Sequence, residues 1–85
     1  MQTLQYNFAD IEPKVKQTLY DAFGPHIAVG TEEVDNGRIF LKVVASKFNG
    51  MSEKKKQDAV WKALKKLGPE SQAISLALVF GIDEI

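Results

Sequence analysis

The chain has 85 residues, the size of one small domain, and its 45% apolar and 26% charged residues are typical of a soluble globular protein. Lys and Arg total 11, as do Asp and Glu, so the net charge is zero and argues against a polybasic coat for duplex binding. Cysteine is absent and His26 is the single histidine. This composition excludes a disulfide framework, a thiolate metal site and a multi-histidine metal site within one chain.

The first residues show no clear hydrophobic period, and we interpret residues 1–10 as an N-terminal lead-in, with a short extra strand as the alternative, and residues 11–85 as one domain. The start has neither the basic nor the apolar region of a secretory signal. The apolar runs are too short to span a bilayer. We therefore expect a cytoplasmic protein without membrane contact, which the lack of cysteine also fits.

The first predicted element is a helix over residues 11–23. Asp10 is the predicted N-cap, and Pro13 fits the first turn, where a backbone N–H has no intrahelical partner. Gly24 and Pro25 are typical of a helix end. The apolar stripe repeats at i, i+4 and i+8: Ile11, Val15 and Leu19.

Two strands are predicted next, over residues 26–34 and 38–46. Asn36-Gly37 between them indicates a hairpin with a type I′ turn, whose two central residues need positive φ. Alternation places Ile39, Leu41, Val43 and Ala45 on one face of the second strand and Phe40, Lys42, Val44 and Ser46 on the other. We expect Phe40 to belong to the core rather than to an exposed stacking surface.

A second helix is predicted over residues 53–67, with Ser52 as its N-cap and Gly68-Pro69 at its end. A third strand follows over residues 73–82. Its alternation places Ile74, Leu76, Leu78, Phe80 and Ile82 on one face and Ala73, Ser75, Ala77, Val79 and Gly81 on the other.

The predicted order is therefore α-β-β-α-β. A hairpin followed by a strand that returns after a helix gives a three-stranded mixed sheet with both helices on one face. The expected fold class is a single small α+β domain.

The segment 43–52, Val-Val-Ala-Ser-Lys-Phe-Asn-Gly-Met-Ser, followed by a helix with Val60 and Leu64, resembles the BolA-like proteins. Residues 72–75, Gln-Ala-Ile-Ser, are similar to the family's His-Ala-Leu-Ser, and the likeness covers about residues 11–82. The resemblance implies a fold similar to a type II KH domain and a non-enzymatic interaction or regulatory module, for example in transcription. It also implies a monothiol glutaredoxin or another protein as partner.

Several positions depart from the family pattern. Lys56, Gln57 and Asp58 stand where the family helix carries Arg-His-Arg, and Gln72 replaces the His that the family uses to ligate a shared iron–sulfur cluster. The loop 31–37 also lacks the family's second His or Cys ligand. Since Gln binds soft iron poorly, we expect no cofactor and no metal ligation by this chain.

The balanced net charge conceals a basic centre. Residues 38–50 carry a net charge of +3 and residues 51–68 a net charge of +4, between flanks of −4 and −3. A solvated helix face is the plain interpretation. The sharper hypothesis is an anion-binding surface where lysines meet the free N–H groups of the second helix. The predicted partner or anion-binding residues are Gly50, Ser52, Lys54, Lys55, Lys56, Lys62 and Gln72.

A KH-like nucleic-acid-binding module that uses the Lys-rich start of the second helix is the alternative function. The chain lacks the Gly-x-x-Gly loop with which KH domains clamp a nucleic-acid backbone, so only a weak contact with phosphates is expected. An enzyme is disfavoured because His26, Ser46 and Ser52 have no recognisable catalytic partner in the sequence. Trp61 flanks the apolar stripe, and core-edge packing is favoured over a partner-facing anchor.

Overall fold

A computed structural model describes residues 7–85, and it has the predicted order of elements. The α-helices and β-strands are α1 Phe8–Phe23, β1 Ala28–Glu33, β2 Ile39–Val44, α2 Glu53–Leu64 and β3 Ile74–Phe80. Short 3₁₀ segments lie between or after them, at Asp35–Gly37, Ser46–Phe48, Lys65–Ala73 and Ile82–Glu84.

The sheet has the order β1-β2-β3, with β1 antiparallel to β2 and β2 parallel to β3. Both helices pack against the same face, which we call the inner face, and the small α+β fold with its mixed sheet is confirmed. A single buried cluster joins α1, the sheet and α2; its fully buried members include Val15, Leu19, Leu41, Val43, Val60 and Leu64.

Helix α1 begins three residues earlier than predicted, because its capping residue is Asn7. The Asn7 side-chain oxygen accepts the backbone N–H of Asp10 at 3.3 Å, so Asp10 lies in the first turn. The remaining predicted lead-in, residues 1–6, lies outside the described residues. The predicted end is confirmed, since Gly24 takes a φ of 87° and its N–H donates to the Tyr20 carbonyl at 2.8 Å.

The predicted hairpin is present, but its connection is a 3₁₀ turn over Asp35–Gly37 in place of the predicted type I′ turn. The Arg38 N–H donates to the Asp35 carbonyl at 3.1 Å, and Gly37 has a φ of 76°. The longer connection leaves both strands shorter than predicted, because β1 ends at Glu33 and β2 begins at Ile39.

Helix α2 also ends before the predicted residue 67. After Leu64 the chain continues as the 3₁₀ segment Lys65–Ala73, interrupted at Gly68, where φ is 66°. Only glycine adopts such a conformation easily, so Gly68 marks the turn toward β3 as the sequence indicated.

A bulge in β3 changes which of its side chains share a face. Ile39 pairs with Ile74 and Phe40 pairs with Leu76, which leaves Ser75 as an extra residue. The predicted single face of β3 is therefore wrong in part, because Ile74 is buried on the inner face whereas Leu76 and Leu78 are exposed. The expected core role of Phe40 is also wrong, since 42% of its surface is exposed.

Candidate functional site

The turn before α2 is anchored from the core side. The Phe48 ring is 1% exposed and packs edge-on against Phe23, with ring centroids 5.3 Å apart. Gly50 follows with a φ of 74°, and the Ser52 hydroxyl accepts the backbone N–H of Lys55 at 3.3 Å. Ser52 is therefore the N-cap of α2, as predicted, and its side-chain oxygen accepts one of the N–H groups that have no partner within the helix.

Lys56 is buried, in contrast to the predicted anion-binding surface. It is 2% exposed, and its Nζ lies 2.7 and 2.8 Å from the two carboxylate oxygens of Glu84 and 3.2 Å from an oxygen of Glu53. The backbone N–H of Gly81 donates to the same Glu84 carboxylate at 2.7 Å. Two carboxylates thus neutralise Lys56, and we leave it out of the candidate binding surface.

The ion pair also changes the proton affinity of both partners. The hydrogen bond to Glu84 raises the pKa of Lys56 above its ordinary value, against the opposing effect of burial, and Glu53 adds to the rise. The hydrogen bonds from Lys56 and from the Gly81 N–H lower the pKa of Glu84. Both groups are therefore charged at neutral pH.

The other two lysines of the run differ from Lys56. Lys54 and Lys55 are both exposed, and Lys54 forms an i,i+4 ion pair with Asp58 at 3.0 Å. An exposed ion pair of this kind contributes little to stability, but the Asp58 carboxylate offsets the positive charge of Lys54. The start of α2 consequently presents much less positive charge to an anion than the three lysines in sequence indicated.

A groove between α1 and α2 brings one predicted residue, Lys62, together with residues that the sequence analysis did not select. It has a volume of about 460 Å³. Lys62 and Lys66 border it, and the Lys47 ammonium lies 5.3 Å from the centre of the adjacent Phe23 ring. The full lining is Asp21, Ala22, Phe23, Ala59, Lys62, Ala63 and Lys66.

The sequence contains a signal for half of this groove. Positions 59, 62, 63 and 66 have the i, i+3, i+4, i+7 spacing of one helix face, and small residues alternate there with lysine. The contribution of Phe23 carries no such signal, because it depends on how α1 crosses α2.

Gln57 and Trp61 connect α2 to the sheet. The Gln57 amide nitrogen donates to the Ala77 carbonyl at 2.8 Å, and the Trp61 indole N–H donates to the Gln57 side-chain oxygen at 3.0 Å. Trp61 is partly buried against the core, which confirms the predicted core-edge packing. Gln57 stands where the BolA-like pattern has a His, and here its amide is used in structural hydrogen bonds.

Gln72 lies far from the turn before α2. It is exposed in the 3₁₀ segment that leads into β3, and the parallel pairing of Ile39 with Ile74 places it near the start of β2. Gly50 follows the end of β2. The two positions therefore lie toward opposite ends of β2, a strand of six residues about 20 Å long, and we do not combine them in one site.

The described residues contain no cluster of three or more His, Cys, Asp or Glu side chains placed to hold a metal ion. His26 is exposed in the connection between α1 and β1. Within residues 7–85, no helix has the length and apolar character needed for a membrane crossing.

Comparison with known proteins adds no assignment. No protein-family model matches the chain, and no curated protein matches it. The likeness to the BolA-like proteins therefore stays a prediction from the sequence.

Proposed function

We propose that this domain is a non-enzymatic protein-binding module, and that its groove between α1 and α2 holds an acidic, partly apolar segment of a partner protein. The observation that carries the proposal is the combination of an apolar floor with a basic rim. Ala59, Ala63 and Phe23 offer carbon surface, and Lys62 and Lys66 stand above it. A segment with apolar anchors and nearby carboxylates is complementary to such a groove.

Charge in this groove favours an acidic partner. Lys62 and Lys66 border the groove and Lys47 lies over the ring of Phe23, whereas Asp21 is the one carboxylate in the groove lining. Asp21 accepts a hydrogen bond from Gln17 at 2.8 Å, which holds it along α1. The rim therefore carries a surplus of positive charge although the whole chain is neutral.

The resemblance to BolA-like proteins supports an interaction module and suggests a monothiol glutaredoxin as the first cytoplasmic partner to test. It does not support iron–sulfur ligation by this chain. Gln57 and Gln72 occupy the positions of the family histidines, cysteine is absent, and the Gln57 amide bonds to the β3 backbone.

The binding test uses charge reversal in the groove with a neighbouring control. We expect Lys62→Glu/Lys66→Glu to weaken binding to an immobilised monothiol glutaredoxin at least tenfold in surface plasmon resonance. Lys55→Glu/Lys65→Glu also reverses two charges, at exposed positions that do not line the groove, and it is expected to bind nearly as the wild type does. Equal affinity of the three proteins, or no binding by the wild type, would remove the support for this partner and groove.

A KH-like nucleic-acid-binding module is the second candidate function, because α2 and its extension expose Lys55, Lys62, Lys65 and Lys66. The structure offers it less support than the sequence did. Lys56 and Lys54 are paired with carboxylates and are therefore less available to phosphates.

The two functions separate by salt dependence and by the single variants Lys62→Glu and Lys65→Glu. Contacts to phosphate would fall steeply with salt, and Lys65→Glu would weaken them about as much as Lys62→Glu does. A single-stranded oligonucleotide titrated by fluorescence anisotropy at low salt provides this measurement. A steep salt slope with equal loss in both variants would favour nucleic acid over a protein segment.

A further inference from the structure

The face of the sheet opposite the helices, which we call the outer face, is apolar although no element within residues 7–85 covers it. Phe40, Leu76 and Leu78 are 42%, 45% and 43% exposed, and they line a shallow groove of about 290 Å³. A solvated sheet face normally carries polar side chains. Neighbouring exposed apolar side chains of this size are typical of an interaction surface.

The strand registers place three residues from each strand on this face. Gly30 pairs with Lys42 across β1 and β2, and Lys42 pairs with Leu78 across β2 and β3. The three cross-strand rows are Ala28, Val44 and Phe80; Gly30, Lys42 and Leu78; and Glu32, Phe40 and Leu76. Lys42 is therefore central, Glu32 is at a corner, and the other positions are apolar or glycine.

The two charges on the outer face have opposite signs, so the face is complementary to itself. Lys42 stays close to the surface, with its ammonium 5.5 Å from the centre of the Phe80 ring. An isologous dimer brings each residue of the patch opposite the patch of the second copy, and every contact then occurs twice. Lys42 of one copy can then face Glu32 of the other, and Phe40, Leu76 and Leu78 become buried in the interface.

We infer that the outer face binds a second copy of this chain. This inference is independent of the proposed function, because the groove between α1 and α2 lies on the other side of the sheet. Nucleic acid fits the outer face less well, since Lys42 is the single cation among the nine strand residues of the three rows and the acidic residues Glu32, Glu33 and Asp35 lie at one end.

The size of the face sets the expected strength. Three strands of six or seven residues, about 4.8 Å apart, give the outer face a flat area of roughly 300 Å². This figure does not include the additional surface of the projecting side chains. A standard stable interface buries about 800 Å² on each partner. We therefore expect a weak dimer with a Kd of roughly 10 μM to 1 mM.

Sedimentation velocity of the full chain from about 10 μM to about 1 mM tests this directly. The wild type is expected to pass from monomer to dimer over this range. Lys42→Glu and Glu32→Lys each convert two attractive contacts into two repulsive ones, and each is expected to raise the Kd about tenfold. Both residues are exposed, so circular dichroism should show an unchanged fold.

Mixing the two single variants provides the decisive measurement. In the mixed pair both contacts join opposite charges again, so a heterodimer tighter than either homodimer is expected. The double variant Lys42→Glu/Glu32→Lys is expected to recover the wild-type Kd. Phe40→Ser should weaken the dimer, whereas Lys62→Glu on the helix side should leave it unchanged and would still report on the proposed function separately.

A wild type that stays monomeric to about 1 mM would overturn the inference. A dimer that is indifferent to Lys42→Glu and to mixing would overturn it too, because the outer face would then not be the contact. Binding of a single-stranded oligonucleotide by a monomer, lost in Phe40→Ser, would assign the face to nucleic acid instead.

Discussion

The Lys56 ammonium lies 2.7 Å from the Glu84 carboxylate, and this contact fastens the last turn of the chain to the first turns of α2. The two residues are separated by 28 positions in sequence. Glu84 is held in place by the Gly81 N–H, and the Asp83 N–H donates to the Asn49 side-chain oxygen at 3.2 Å. The C-terminal turn Ile82–Glu84 is thus part of the folded domain.

Glu84→Gln should lower the thermal unfolding midpoint more than Asp83→Asn, although each variant replaces one carboxylate of the C-terminal turn by an amide. The reason is that Lys56 is 2% exposed and would lose its shortest ion pair, whereas Asp83 is exposed. Lys56→Met should be tolerated better than Glu84→Gln, because it removes the buried charge and keeps an apolar chain of similar length. Differential scanning calorimetry at neutral pH compares the three variants, and equal midpoints would contradict the structural role of the pair.

The same pair predicts how stability depends on pH. The folded pKa of Glu84 is lowered, so its contribution is present above the ordinary Glu value of about 4.3 and is lost as pH falls through the folded pKa. The folded pKa of Lys56 is raised, so its contribution is complete below about 10.4 and is lost as pH rises through the folded pKa. Urea titrations of the wild type and Glu84→Gln should differ most between these limits and converge at both extremes. A difference that stays constant down to acid pH would mean that Glu84 acts without its charge.

Gly81→Ala should destabilise the domain by about 1–3 kcal/mol. A Cβ at Gly81 would lie 2.9 Å from the Asn49 backbone and 2.5 Å from the Asp83 side chain, in a buried position. Gly30→Ala is the matched control, since a Cβ there meets no atom within 4 Å. Urea unfolding should show the loss for Gly81→Ala and a change within about 0.5 kcal/mol for Gly30→Ala. Similar values for both would show that the backbone around Asn49 adjusts freely.

Local signals in the sequence account for the elements of this fold. Ser52 caps α2 and Gly24 ends α1 as predicted, because capping depends on neighbours within four residues. The alternation of β2 correctly separates its side chains into two faces, since side chains of a strand point to opposite sides whatever lies beyond them, but it did not predict that the face of Phe40 is exposed. The predicted cap at Asp10 was wrong because Asn7, three residues earlier, accepts the same kind of hydrogen bond.

The candidate sites depend on contacts between distant segments. The sequence shows Lys54, Lys55 and Lys56 as equivalent charges, but only the packing of the C-terminal turn pairs the third with Glu84. Likewise, the sequence predicts Phe40 as a core residue. The packing of the two helices on the inner face, together with the bulge in β3 at Ser75, leaves Phe40 on the exposed face. The sequence alone therefore determined the order of helices and strands through short-range hydrogen bonds and periodicity. Tertiary packing decided which charges are neutralised and which apolar side chains remain exposed, because burial depends on residues far apart along the chain.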